Sequence, residues 1–244
     1  MTTPDFYTRK LPHWQPSEET FFVTYRLAGS LPMPVIASLK DKYAKEKHLP
    51  DNQSFERKEE IREDYFFAFE NELDKNLNEP YWLKDEPIAH VAMDSLDFND
   101  NKHYSLLTAC IMSNHVHILI RLLPNAPALN VILQNHKKFT AVQSNKLLSR
   151  SGSFWAEESF DTIIRHEKHF YHTIYYIINN PVKAGLVNNW WEWKWTYLQA
   201  ELEKNTKCRK EYLMVPTKVL PFNKHFVRYQ KQQNGTEFRY PFLM

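Results

Sequence analysis

Two apolar runs, Tyr104 to Met112 and His115 to Leu123, are separated only by Ser113-Asn114. A two-residue connection of this kind joins antiparallel neighbours, so the stretch predicts a β-hairpin, with Asn114 suited to a left-handed turn position. Alternation then sorts the second strand. Val116, Ile118 and Ile120 share one face, and His115, His117, Leu119 and Arg121 share the other. The first set is apolar throughout and faces the core. The two histidines therefore lie on the opposite face, placed to line a site.

Around this hairpin the chain alternates strand-like and helix-like segments. Thr20 to Leu27 is β-branched and aromatic, is closed by Gly29 and Pro32, and predicts the first strand. Pro34 to Pro50 predicts a short lysine-rich helix and loop. From Phe55 to Leu77, a four-residue beat of Ile61, Tyr65, Phe69, Leu73 and Leu77 marks one face of an amphipathic helix. Its remaining faces carry Glu59, Glu60, Glu63, Asp64, Glu70, Glu72 and Asp74, a solvated acidic surface expected to lie away from any phosphate backbone. Pro87 to Leu96 predicts another helix. Ala128 to Arg150 predicts an amphipathic helix with a basic face of Lys137, Lys138, Lys146 and Arg150. Phe160 to Ile164 is a candidate short strand, and His169 to Asn180 a helix that stops at Pro181. Trp190, Trp191, Trp193 and Trp195 suit packing on the sheet better than stacking on bases. The organisation expected is one domain over residues 10–200, with a helical insertion at about 35–97. A basic extension follows at 201–244, where nine Lys or Arg face four Glu.

Several classes are excluded by what is scarce. Only four glycines occur in 244 residues, and no phosphate-cradling glycine loop is among them, which removes P-loop and dinucleotide-binding readings. Cys110 and Cys208 stand far apart, against a disulfide framework or a thiolate zinc site and in favour of a reduced cytoplasm. The first residues lack a basic region followed by an apolar run, and no stretch is apolar enough to span a bilayer, so no membrane association is expected. A net charge of +2 leaves any nucleic-acid surface to be local.

The histidines acquire meaning from a segment sixty residues on. A His-x-His pair by itself has a plainer reading, an exposed pair on a half-buried strand. Tyr176 and Asn180, however, are four apart and project from one helical face, and an Asn180 carboxamide oxygen would complete a three-ligand set with His115 and His117. Two imidazoles and a neutral oxygen suit an open Mg²⁺ or Mn²⁺ site that keeps waters and takes a phosphate oxygen. A phenol of ordinary pKa near ~10 needs a neighbouring cation to act as a nucleophile, and such a metal supplies one. Tyr175, rotated about 100° around the helix, is the rival nucleophile. A core aromatic is the plain alternative for Tyr176.

Ile111-Met112-Ser113-Asn114-His115-Val116-His117 resembles the Met-x-Asn-His-Val-His signature of single-tyrosine HUH transposases. Tyr176-Ile177-Ile178-Asn179-Asn180-Pro181-Val182-Lys183-Ala184-Gly185-Leu186-Val187 resembles the tyrosine segment of their REP-associated branch. Leu11-Pro12-His13-Trp14, Phe22 to Leu27, Lys137-Lys138-Phe139-Thr140 and Phe154-Trp155 through Phe160-Asp161 agree with that branch in order and context. The resemblance spans roughly residues 10 to 197. It implies an α+β fold, a central antiparallel sheet with helices packed on one side in an RRM-like or ferredoxin-like arrangement. It implies that His115 and His117 bind a divalent metal, that Tyr176 attacks phosphorus, and that Asn180 gives the third ligand. The implied reaction is transesterification on single-stranded DNA bearing hairpin-forming palindromic repeats, through a 5′-phosphotyrosine. Lys137, Lys138, Lys146, Arg150, Arg165 and Lys168 are the candidate phosphate contacts. The branch is expected to act as a monomer, whereas insertion-sequence relatives work as dimers sharing sites, which leaves a dimer open. Competing readings are a hairpin-binding protein whose chemistry is dispensable and a hydrolase using metal-bound water.

Overall fold

The structure, a computed structural model, describes residues 6–8, 12–14, 19–49, 54–75 and 80–204; most of the expected basic extension lies outside the described residues. In chain order the elements are β1 (Phe6–Thr8), β2 (Pro12–Trp14), β3 (Thr20–Leu27), α1 (Met33–His48), α2 (Phe55–Lys75), α3 (Glu86–Asn99), β4 (Tyr104–Ile111), β5 (His115–Leu122), α4 (Leu129–Leu147), β6 (Trp155–Ile163), α5 (Glu167–Lys183), β7 (Thr196–Leu198) and α6 (Ala200–Lys204). β1 and β2 form a small antiparallel pair. The others make a five-stranded antiparallel sheet in the order β6-β3-β5-β4-β7.

The histidine strand is therefore the middle one. Thr24 of β3 lies opposite His117 on one side, and Cys110 of β4 on the other. A central strand has no free edge and is covered above and below, and β5 is buried at every residue except Arg121. Val116, Ile118 and Ile120 pack with Phe21, Val23 and Tyr25 under α3 and α4. On the opposite face Leu119, Phe22 and Leu107 pack under α5, through Ile174, Ile177 and Ile178, with Phe66 of α2 joining them. Each such side chain contributes about 1.5–3 kcal/mol by leaving water. Helices thus cover both faces of the sheet, not one, because Leu119 and Phe22 make the histidine face half apolar and the isoleucine stripe of α5 needs a partner.

Three local expectations are corrected. Asn114 is not left-handed: the positive-φ residues other than glycine are Asn101, Asn125 and Ser149 among the described residues. Asn114 is instead buried, its carbonyl accepting from the Leu27 amide at 2.8 Å. Pro181 does not end α5, which continues to Lys183. Its termination is set by Gly185 at φ 68°, where the Gly185 amide donates to Val182 O at 3.0 Å and the Leu186 amide to Pro181 O at 2.9 Å. This reciprocal pair closes a helix on a left-handed residue. α1 runs sixteen residues, longer than expected, with Pro34 tolerated in its first turn where no amide donor is needed. β7 was not anticipated. It pairs with β4, and beside it Trp195 is buried while the Trp193 indole donates to Ile111 O at 3.0 Å, so these tryptophans pack on the sheet. No helix among the described residues is long and apolar enough to cross a membrane.

Candidate active site

β5 delivers His115 and His117 to the same face two residues apart, and both are fully buried there. Their Nε2 atoms approach to 3.0 Å. The neighbours suit one protonation pattern. Asn114 Oδ1, an acceptor, lies 2.7 Å from His115 Nδ1, so that nitrogen donates and its Nε2 keeps a lone pair. Asn180 Nδ2 donates to His117 Nε2 at 3.1 Å, leaving His117 Nδ1 to donate to Thr24 Oγ1 at 2.7 Å. In that pattern both Nε2 lone pairs lie on one side of the strand, 3.0 Å apart, as two ligands of one cation would.

α5 brings Tyr176 and Asn180 to the same place, as their four-residue spacing requires. The Tyr176 ring sits edge-on to His117 with centroids 5.4 Å apart, whereas Tyr175 turns outward and is 36% exposed. Asn180 is fully buried, and its Oδ1 has no hydrogen-bond partner.

The acidic helix α2 lies over this centre, contrary to its expected place on the far side. Phe66, Glu70 and Leu73 are its buried residues here, with Ile61 one to two turns earlier. Glu70 Oε2 accepts from the Tyr176 hydroxyl at 2.9 Å and stands 3.2 Å from His117 Nε2 and 3.9 Å from His115 Nε2. Asp74, one turn on, pairs with Lys183 of α5 at 2.8 Å and ties the two helices together. A helix with so many carboxylates reads as solvated only if every one of them lies at the surface. The signal that separates Glu70 is its place in the i, i+4, i+7 stripe of Phe66, Glu70 and Leu73.

Glu70, His115 and His117 form a buried group able to hold a metal ion, their ligand atoms all within 4.8 Å of one another. The 3.0 Å edge between the two Nε2 atoms matches that of an octahedron with bonds near 2.1 Å, about 3 Å. Buried oxygens without partners, Glu70 Oε1 and Asn180 Oδ1, add donor capacity beside it. Two imidazoles and a carboxylate fit a divalent cation with positions left open.

No family model matches the chain, and no curated protein matches it. Among solved structures, one of a REP-associated tyrosine transposase bound to a REP hairpin is similar at a TM-score of 0.46 and 14% identity, over 78% of this chain and 82% of that one. A likeness this distant leaves the site to be read from its own chemistry.

Burial governs the electrostatics. It pushes His117 down to about 3 and His115 down to about 4, the latter helped by His117, so both imidazoles are neutral and ready to ligate. Burial also pushes Glu70 up to about 7, against the opposing pull of His115 and the Tyr176 hydroxyl. Tyr176 is held well above the ordinary phenol range by burial first and by the charge of Glu70 second. The phenol is thus protonated in the metal-free centre. A cation close to Glu70 reverses the sign of that local field.

The basic candidates fall in two places. Lys137, Lys138, Lys146 and Arg150 belong to α4 or the turn after it, across the sheet from the histidines. Lys137 donates to Glu157 O at 3.2 Å, and the Arg150 guanidinium lies 4.0 Å over the Trp82 ring while donating to Asn145 Oδ1 at 2.6 Å. Arg165 and Lys168 are exposed at the start of α5, the helix that carries Tyr176.

Proposed function

We propose that the protein is a metal-dependent single-strand DNA endonuclease and strand transferase, a tyrosine transposase acting on hairpin-forming palindromic repeats. The observation that carries this reading is the Tyr176 hydroxyl donating at 2.9 Å to a carboxylate that itself lies 3.2 Å from the paired imidazoles. Nucleophile and cation site share one atom, Glu70 Oε2. The motif resemblance over the histidine hairpin and the tyrosine helix supports the same chemistry.

In this reading His115 and His117 hold Mg²⁺ or Mn²⁺, with Glu70 Oε2 as a further ligand and Asn180 Oδ1 joining through rotation of its amide. The ion, when bound, polarises the scissile phosphate and favours phenolate. Tyr176 attacks phosphorus in line, forming the tyrosyl O–P bond while the bond from phosphorus to the 3′ oxygen breaks. With Glu70 Oε2 engaged as a ligand, the phenolic proton passes to solvent, and the departing oxygen takes one from solvent to become the 3′ hydroxyl. Attack by that hydroxyl reverses the sequence, so the bond is conserved without a nucleotide cofactor. Of the cations expected to meet phosphates, Arg165 and Lys168 are the best placed, since eight residues of helix separate Lys168 from Tyr176 by about 12 Å. The lysines of α4 are left to more distant duplex or to solvent.

The test is incubation with hairpin-bearing oligonucleotides in Mn²⁺ and in chelator, followed by denaturing gels. A covalent protein–DNA band that needs Mn²⁺ and disappears in Tyr176→Phe is expected. Cleavage with no adduct would favour metal-bound water, and hairpin binding without cleavage under any divalent ion would favour a binding protein.

A further inference from the structure

A cavity of about 430 Å³ opens between the α1–α2 pair and the β3–β6 side of the sheet. That volume is in the range of small-molecule sites, about 300–1,000 Å³. Its chemistry is mixed in a particular way. Tyr43 and Tyr65 line it with ring centroids 4.8 Å apart, and Phe69 lies beneath the Arg26 guanidinium at 5.5 Å. Lys40 and Lys47 of α1 also line it, the latter 5.8 Å from the Tyr43 ring. Glu158 and Glu70 reach the same space, and Oε1 of each is buried with no hydrogen-bond partner. Glu70 itself is only 1% exposed.

The cavity and the metal centre share two residues. Thr24 and Glu70 belong to both, Thr24 by holding His117 and Glu70 by holding Tyr176. An occupant of the cavity therefore touches the residues that hold His117 and Tyr176. Flat aromatic walls accept the face of a base, and cations on α1 accept the backbone. Buried carboxylate oxygens reject a phosphate but accept from an exocyclic amino group. Cytosine and adenine carry such a donor; thymine does not.

We infer that this cavity receives one unpaired, amino-bearing nucleobase of the strand next to the scissile phosphate, stacked on the Tyr43 and Tyr65 wall with its amino group donated to Glu158. The inference rests on the nuclease reading and adds which nucleotide class the insertion α1–α2 selects. The insertion is then a specificity element, and the base it reads lies beside the reaction centre.

The experiment is fluorescence anisotropy at fixed salt on three labelled strands of about ten nucleotides, a length one such groove covers. They are an oligomer of deoxycytidine, one of thymidine and one fully abasic. The wild type is expected to hold the deoxycytidine strand about tenfold or more tighter than the abasic one, the size of a lost base stack. Tyr65→Ala should collapse that ratio toward one, Tyr65→Phe should keep it, and Glu158→Gln should shrink the preference for deoxycytidine over thymidine. Circular dichroism melts confirm that each variant folds. An unchanged ratio in folded Tyr65→Ala, or a wild type that binds the abasic strand as well as deoxycytidine, overturns the inference. Formation of the Tyr176 adduct, assayed separately on hairpin substrates, shows whether the nuclease reading survives that result.

Discussion

Glu70→Gln turns the burial of a carboxylate among imidazoles into a measurable change in stability. The substitution keeps the side chain's size and removes its titration. Burial raises Glu70 from an ordinary 4.5 to about 7. Since a tenfold change in proton affinity is about 1.4 kcal/mol, ionising Glu70 inside the metal-free fold costs about 3 kcal/mol relative to the unfolded chain. The sign follows from linkage. The folded state favours the acid form, so this contribution is fully present below pH 4.5 and is lost as pH rises through 7. Urea denaturation in chelator, followed by tryptophan fluorescence across pH 4 to 8, should show the two proteins nearly matched near pH 4 and Glu70→Gln ahead by about 3 kcal/mol at pH 8. Saturating Mn²⁺ should invert the order, because the ion stabilises the wild type by its binding free energy and the variant has lost a charged ligand. Parallel pH profiles for the two proteins in chelator, or a variant that is less stable at pH 8 there, would refute the placement of Glu70 in the centre.

Three other outcomes are expected. Thr24→Val removes the acceptor that holds the His117 Nδ1 proton at 2.7 Å and should weaken Mn²⁺ binding about 10–100-fold by calorimetry with little change in the melting temperature. His136 is buried between the Tyr25 hydroxyl at 2.7 Å and Ser95 Oγ at 2.9 Å, and burial lowers it to about 3. Its folded pKa lies below its unfolded one, so its stabilisation is present above pH 6.5 and fades toward pH 3. Compared by denaturant titration, His136→Gln should lack about 2 kcal/mol of the wild type's loss between pH 7 and pH 5. Gly185→Ala forces a Cβ onto φ 68° at the end of α5, with no atom within 4 Å to clash, and should cost about 1–2 kcal/mol from backbone strain alone.

What the sequence made legible is what short periodicities encode. Alternation along His115 to Leu122 put both imidazoles on one face, and the four-residue spacing of Tyr176 and Asn180 put phenol and amide on one face of a helix, as the structure has them. Glu70 was hidden because α2 carries two stripes. Tyr65 packs on Tyr43 of α1, while Phe66 packs on Phe22 and Phe160 of the sheet and Glu70 meets Tyr176, and only a long-range partner decides that a carboxylate in the second stripe is buried. β7 has three residues, and a strand that short exists through its ladder with β4 and leaves little local pattern. Pro181 misled for a related reason. In the last turn its missing amide forfeits one intrahelical bond, to the Ile177 carbonyl, yet α5 runs two residues further and Gly185, four residues after the proline, holds the terminating geometry. The basic face of α4 was real in sequence, but which side of the sheet a helix covers depends on handedness and packing beyond its own residues.

Metal-dependent chemistry at this centre requires a divalent ion seated against the two buried imidazoles beside Tyr176. Electron paramagnetic resonance of chelator-treated protein titrated with Mn²⁺ measures this directly. One bound ion per chain is expected, with nitrogen hyperfine coupling that is halved in number of couplings by His115→Gln and lost with affinity in the double replacement of His115 and His117. A bound ion without nitrogen coupling, or affinity unchanged by removing both histidines, would contradict it.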